Sequence, residues 1–264
     1  MKPVTISTLR ELKLAGQKIT CLTAYDYSFA SLLDRAGLDA IMVGDSLGMT
    51  RQGHASTLPV TIDDMAYHCA CVARGVTRAL IIGDLPFGSY QESPEQAFAN
   101  AARLMQAGAQ VVKLEGGAPM IEAVRFLVAR GVPVCGHLGL TPQSVHQLGG
   151  YRVQGREADT AQRLRDDAKQ LQTAGASLLV LEAVPAALAK TISGELAIPT
   201  IGIGAGVDTD GQVLVLQDML GLYPRPSPKF SRNFMQGAES IEAAVKSYVE
   251  AVRSKTFPGP EHSY

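Results

Sequence analysis

Two short strings, "VGDS" (43–46) and "IGDLP" (82–86), repeat one step: a β-branched residue, a glycine and an aspartate. Each closes an apolar run, so Asp45 and Asp84 end buried segments of similar backbone. A carboxylate in that position needs something to balance its charge. Further on, Lys113 and Glu115 stand two apart in "VVKLEGG", His137 lies in "VPVCGHLGL" and Glu182 ends "LLVLE". Residues two apart on a strand share a face, so Lys113 and Glu115 point the same way. Asp26, in "AYDYSFASLLDRAG", completes the candidate acids.

Gathered on one rim, five carboxylates and one lysine would raise one another's pKa unless a cation intervened. A divalent metal is the economical answer. Oxygen donors without a Cys₂His₂-type set point to Mg²⁺, with Mn²⁺ second, rather than zinc. Apolar neighbours around Glu182 would raise its pKa, as a base acting on a carbon acid requires. Each acid also has a plainer role as a helix cap or loop salt-bridge partner. Asp26, just ahead of a helical segment, suits the cap. His137 is either a hydrogen-bond donor behind the ligands or structural. "GIGAG" (202–206) invites a phosphate reading, but it is not G-x-G-x-x-G and lies late in the chain. A tight turn or a close substrate approach suits it better.

The elements that must place these residues recur in one pattern. Short apolar runs at 18–26, 40–46, 79–86, 111–117, 132–140, 178–185 and 199–206 are followed by an eighth, "QVLVLQDML" (212–220). Helical segments lie between runs; "SPEQAFANAARLMQAG" opens on a cap serine and a first-turn proline and closes at Gly108. "GAQVVKLE" and "GASLLVLE" read as a faint internal repeat. Continuous apolar strands alternating with helices imply a parallel sheet covered on both faces. Eight units in 264 residues favour an α/β (β/α)8 TIM barrel over an open doubly wound sheet. The expected organisation is one domain, 1–264, with an N-terminal helix and a C-terminal helix and tail. In such a barrel every strand end opens on one face, where the chemistry sits.

Bulk properties narrow the function classes. Hydrophobic residues make up 46% and charged residues 19%, enough for a large core and unlike a disordered chain. With a formal net charge of −1 and no basic block, no nucleic-acid or membrane partner is expected. The charged N-terminus lacks the apolar centre of a signal peptide, and no apolar run reaches the ~18 residues of a membrane span. A cytoplasmic location follows as the expectation. Cys21, Cys69, Cys71 and Cys135 lack zinc-site spacing and are expected as reduced thiols.

The strings "TAYDYSFA", "VGDSLGMTRQGHASTLPVT", "DLPFGSY", "VKLEGG", "VCGHLGLTPQSVHQLGGYRVQGR", "LLVLEAVP", "IGIGAG", "PKFSRNF" and "FPGPEHSY" together resemble the ketopantoate hydroxymethyltransferase family, from about residue 3 to the end. The resemblance implies a Mg²⁺-dependent barrel enzyme of pantothenate and coenzyme A biosynthesis, with one ion per subunit. Its reaction moves a hydroxymethyl group from 5,10-methylenetetrahydrofolate to 3-methyl-2-oxobutanoate, giving 2-dehydropantoate. By resemblance Asp45 and Asp84 take the metal positions and Glu115 is a third metal-site acid. Asp45, Ser46, Asp84 and Lys113 take the oxo-acid positions, and Glu182 that of the base. A homo-oligomer, often a decamer, is the family expectation. Two rivals remain: a Mg²⁺-dependent oxo-acid aldolase or lyase, and a non-catalytic metabolite-binding barrel.

Overall fold

The computed structural model describes residues 2–224 and 226–264. The chain opens with α1 (Ile6–Leu14), then alternates β1 (Ile19–Thr23), α2 (Tyr27–Arg35), β2 (Ala40–Val43), α3 (Leu47–Thr50), α4 (Ile62–Gly75) and β3 (Leu80–Asp84). It continues through α5 (Pro94–Gln106), β4 (Val111–Glu115), α6 (Ile121–Val128), β5 (Val134–Gly139), α7 (Ala158–Thr173), β6 (Leu178–Glu182) and α8 (Ala186–Glu195). β7 (Thr200–Ile203), β8 (Gly211–Leu214), α9 (Leu216–Met219) and α10 (Ile241–Arg253) follow. The strands pair in sequence order, all parallel, and β8 returns to β1 to close the barrel. This is the (β/α)8 architecture.

Local chemistry explains the elements. Ser93 accepts from Gln96 N and starts α5, with Pro94 at its first position. Thr61 and Asp64 cap α4 reciprocally, and Met65, Cys69 and Val72 form its buried stripe at helical spacing. Strands β1 to β4 are buried along their whole length, as a sheet covered on both faces requires. α1 lies across the entry end of the barrel. Val4 N donates to Arg78 O ahead of β3, and Lys13 Nζ pairs with Asp210 at 2.8 Å ahead of β8.

Two details depart from the regular alternation expected above. The return from β7 to β8 (204–210) carries no helix; Asp210 fastens it by accepting from Thr200 N at 2.8 Å. The eighth apolar run is a strand only as far as Leu214. Beyond it Thr23 Oγ1, at the end of β1, takes Leu216 N at 3.0 Å. The ladder stops there, and Leu216, Met219 and Leu220 are buried at the i, i+3, i+4 spacing of a helix. All four cysteines are free thiols, and burial pushes Cys69 and Cys135 up to about 12, so neither is reactive at neutral pH.

α10 braces the closing seam. The buried Tyr248 hydroxyl sits 2.9 Å from Cys21 O on β1 and 3.0 Å from Gln212 O on β8. Tyr248→Phe leaves those carbonyls without their side-chain donor and is expected to cost about 1–3 kcal/mol. Urea unfolding checks this: an unchanged midpoint would show that the seam does not rely on the hydroxyl.

Candidate active site

Strand register brings the chemistry together. Asp84 on β3 pairs with Lys113 on β4, and Glu115 pairs with His137 on β5. Glu182 ends β6 opposite Gly139. Side chains of paired residues share a face, so these point into the mouth at the strand C-termini. Asp45 arrives differently. Val43 pairs with Gly83, so the two Gly-Asp steps are offset by one residue: Asp84 is still strand, while Asp45 lies in the turn after β2. The similar backbone expected for the two aspartates is therefore absent, yet they meet, because Asp45 N donates to Asp84 Oδ2 at 3.2 Å. Gly44 leaves room for the Ser46 side chain. A Cβ there would lie 2.8 Å from Ser46 Oγ and 3.5 Å from Asp84 Oδ2.

All seven candidates, Asp45, Ser46, Asp84, Lys113, Glu115, His137 and Glu182, line one cavity of about 830 Å³. Asp26 does not. It caps α2 through Phe29 N and pairs with Arg51 at 2.7 Å, the plainer of its two expected roles.

Lys113 Nζ lies 3.2 Å from Asp84 Oδ2, 3.9 Å from Glu115 Oε1 and 3.3 Å from His137 Nδ1. Burial pulls its pKa down, but Asp84, Glu115 and Asp45 hold it above the ordinary lysine value. Burial, with Asp84 and Glu115 nearby, pushes Asp45 up to about 8. Burial also raises Asp84 against the pull of Lys113. Burial works to raise Glu115 too, but the His137 hydrogen bond and charge outweigh it and hold Glu115 below its ordinary value. His137 is charged at neutral pH. Burial and Lys113 oppose that charge, but Glu115 and Glu182 carry its pKa to about 9.

His137 thus stands between two carboxylates. Nδ1 is 3.3 Å from Glu115 Oε1; Nε2 is 3.3 Å from Glu182 Oε2, off the line of a hydrogen bond. The surroundings of Glu182 are therefore not purely apolar as expected, since this imidazole stands beside it. Ser46 Oγ contacts the buried Tyr25 hydroxyl at 2.9 Å.

Two further residues organise the carboxylates and were not singled out in the sequence. Gln143 donates from Nε2 to Asp45 Oδ2 at 2.8 Å and to Leu85 O at 3.0 Å, and from its backbone N to Glu115 Oε2 at 3.0 Å. Tyr90 in turn donates to Gln143 Oε1 at 2.7 Å and accepts from Glu115 N at 3.1 Å. Neither residue type advertises chemistry. The only signal was their place in "DLPFGSY" and "GLTPQSV", strings immediately after strands β3 and β5.

The ketopantoate hydroxymethyltransferase family model matches residues 3–260. The chain belongs to the ketopantoate hydroxymethyltransferase family. It is 64% identical over 262 residues to the 3-methyl-2-oxobutanoate hydroxymethyltransferase of Thiobacillus denitrificans, covering 99% of this chain and 100% of that one. The enzyme of the same name from Methylobacillus flagellatus is 63% identical, with 99% and 100% covered. Among solved structures, phosphonopyruvate hydrolase with oxalate and Mg²⁺ aligns with a TM-score of 0.60 at 13% identity, covering 80% of each chain. A 2,3-dimethylmalate lyase aligns at 0.59 and 17%, covering 79% of this chain and 80% of that one. At such identity these two share the fold with this family member.

Gln143→Ala leaves the Asp45 carboxylate, Leu85 O and the Tyr90 hydroxyl without their partner while keeping the backbone bond to Glu115. A loss of about 1–3 kcal/mol in urea unfolding is expected; no loss would remove Gln143 from the framework. The charges also set a pH trend. Asp45, at about 8 against 3.8, keeps a proton that the unfolded chain releases, so its contribution falls as pH rises toward 8. The His137 contribution is complete below 6.5 and lost as pH rises through about 9. Glu115 acts only at lower pH, being lowered from 4.5. In chelator, the urea midpoint should fall between about pH 6 and 9; a rise would contradict these assignments.

Proposed function

We propose that the chain transfers a hydroxymethyl group from 5,10-methylenetetrahydrofolate to 3-methyl-2-oxobutanoate, giving 2-dehydropantoate. The observation that carries this is the assembly of Asp45, Asp84, Lys113, Glu115 and Glu182 in one cavity of a chain matched to this family along nearly its whole length.

The donor set suits Mg²⁺. Among the described residues Asp84 Oδ1 is buried with no hydrogen-bond partner, and burial, with the Asp84 and Glu115 charges nearby, drives Asp45 toward its protonated form. Among the described residues no group of three or more His, Cys, Asp or Glu is placed to hold a metal ion by itself. Mg²⁺ does not need one, because it commonly takes one or two carboxylates and fills its octahedron with water and substrate oxygens. Asp45 and Asp84 would hold the ion. Glu115, its oxygens engaged by Gln143 N and His137, supports them from behind as the third acid. Bound there, Mg²⁺ would supply a Lewis acid beside the ketone of the oxo-acid.

The chain's own groups supply the rest. Lys113 and Ser46 donate to the oxo-acid and orient it. Asp84, touching both Lys113 and the Asp45 backbone, ties the two halves of that site together. Glu182 takes the proton from C3 of the oxo-acid. His137 Nε2, 3.3 Å from Glu182 Oε2, stands beside this base. The C3 electron pair then forms the bond to the one-carbon unit as its bond to one folate nitrogen breaks; water displaces the other nitrogen and supplies the hydroxyl oxygen, and the two nitrogens take up the C3 proton from Glu182 and the proton released by that water. Holding both reactants in one cavity supplies the proximity contribution.

No helix among the described residues is long and apolar enough to cross a membrane. The expected location is the cytoplasm; by resemblance the protein is a homo-oligomer, a decamer, which light scattering on the purified chain checks.

In deuterated buffer with Mg²⁺, the protein should exchange the C3 hydrogen of 3-methyl-2-oxobutanoate. Glu182→Gln should still bind the oxo-acid but lose exchange by about 10²–10⁴-fold. Unchanged exchange would take the base role from Glu182. Product formed equally from free aldehydes, with no effect of folate, would overturn the transferase reading in favour of an aldolase.

A further inference from the structure

At about 830 Å³ the cavity lies in the upper range of ligand sites, which run from about 300 to 1,000 Å³. A small branched oxo-acid at the charged floor fills only part of it. The remainder has a different character. One wall comes from the loop after β5, with Tyr151, Arg152 and Arg156; another comes from the C-terminal region, with Tyr223, Phe230 and Tyr264.

The aromatic wall is seated on the barrel. Gly204, in the middle of "GIGAG", has φ +62, and a Cβ there would lie 2.9 Å from Phe230 Cδ1 and 3.1 Å from Tyr264 Cε2. The glycine lets both rings press against the turn after β7, which gives that motif a purpose other than phosphate binding. Tyr264 is pinned further: Ala186 N donates to its carbonyl at 2.8 Å, and Lys229 Nζ stands 5.0 Å from its ring centre. Tyr264 is also near enough to Glu182 and Arg156 to feel both charges, so it links the base to the outer wall.

Arg152 and Arg156 are exposed, and among the described residues neither guanidinium has a carboxylate partner within 4 Å. Two unpaired guanidinium groups beside a flat aromatic wall suit a ligand with planar rings at one end and carboxylates at the other. A reduced folate is such a molecule: a pterin and an aminobenzoyl ring followed by glutamate. Its reactive carbon is on the ring end, which must face C3 and Glu182.

We propose that the outer part of this cavity is the folate subsite, with the rings against Phe230 and Tyr264 and the glutamate carboxylates on Arg152 and Arg156. This rests on the transferase reading above.

The full chain with Mg²⁺ and its Arg152→Ala/Arg156→Ala variant are compared in two assays. One is the KM for 5,10-methylenetetrahydrofolate, as mono- and triglutamate. The other is folate-independent C3 exchange of 3-methyl-2-oxobutanoate. Loss of two charge-assisted contacts should raise the folate KM by about tenfold or more, with exchange unchanged. The Arg152→Lys/Arg156→Lys variant, which keeps the charge, should recover part of the loss. An unchanged folate KM overturns the subsite while leaving the transferase reading intact. Parallel loss of exchange also overturns it, since the arginines would then serve the oxo-acid site or the fold. A wild-type chain that exchanges C3 but accepts nothing from folate refutes the transferase reading itself.

Discussion

Three carboxylates and one ammonium share the buried floor of the cavity, and the ammonium does not balance them. Lys113 is 3.2 Å from Asp84 and 3.9 Å from Glu115, and Glu115 draws a second cation, His137, to 3.3 Å. Asp45, last to be served, is pushed up to about 8. Charges out of water are costly unless each finds a partner. At neutral pH Asp45 keeps a proton, and a cation brought to its carboxylate would take that proton's place. Much of the surrounding structure serves to hold that group in place: Gln143 and Tyr90 fix Asp45 and Glu115, Gly44 leaves room for Ser46, and the barrel register sets Asp84 against Lys113.

The barrel suits this task because adjacent strands contribute paired residues to one face. Asp84, Lys113, Glu115, His137 and Glu182 come from β3 to β6, four neighbouring strands, so no long loop has to place them. Strand-borne groups are held more closely than loop-borne ones. The outer cavity wall is built from segments beyond the strand ends. The same architecture hosts many activities, so the chemistry belongs to these side chains rather than to the fold.

Much of this was legible in the sequence because the relevant signals are local. Apolar runs ending in Asp, Glu or Lys mark strand ends, and the (β/α)8 rule collects those ends on one face. The i, i+2 spacing of Lys113 and Glu115 was enough to turn both inward. What was hidden depends on pairing across the chain. The one-residue offset between Asp45 and Asp84 follows from the β2–β3 register, which no local pattern encodes. Gln143 matters only because Asp45 Oδ2 and Glu115 Oε2 meet it in space. The eighth run misled because Leu216, Met219 and Leu220 satisfy helical spacing inside an otherwise strand-like string. The helix-free return from β7 to β8 depends on Asp210, which holds Thr200 and whose partner Lys13 is distant in sequence.

We propose that this carboxylate floor receives one divalent cation together with the oxo-acid. A crystal structure of the protein grown with Mg²⁺ and 3-methyl-2-oxobutanoate tests it most directly. The account predicts one ion held by the carboxylates of Asp45 and Asp84, with the oxo-acid beside Ser46 and Lys113 and its C3 facing Glu182. An ion bound elsewhere, or an oxo-acid seated without one and with C3 turned away from Glu182, would contradict it.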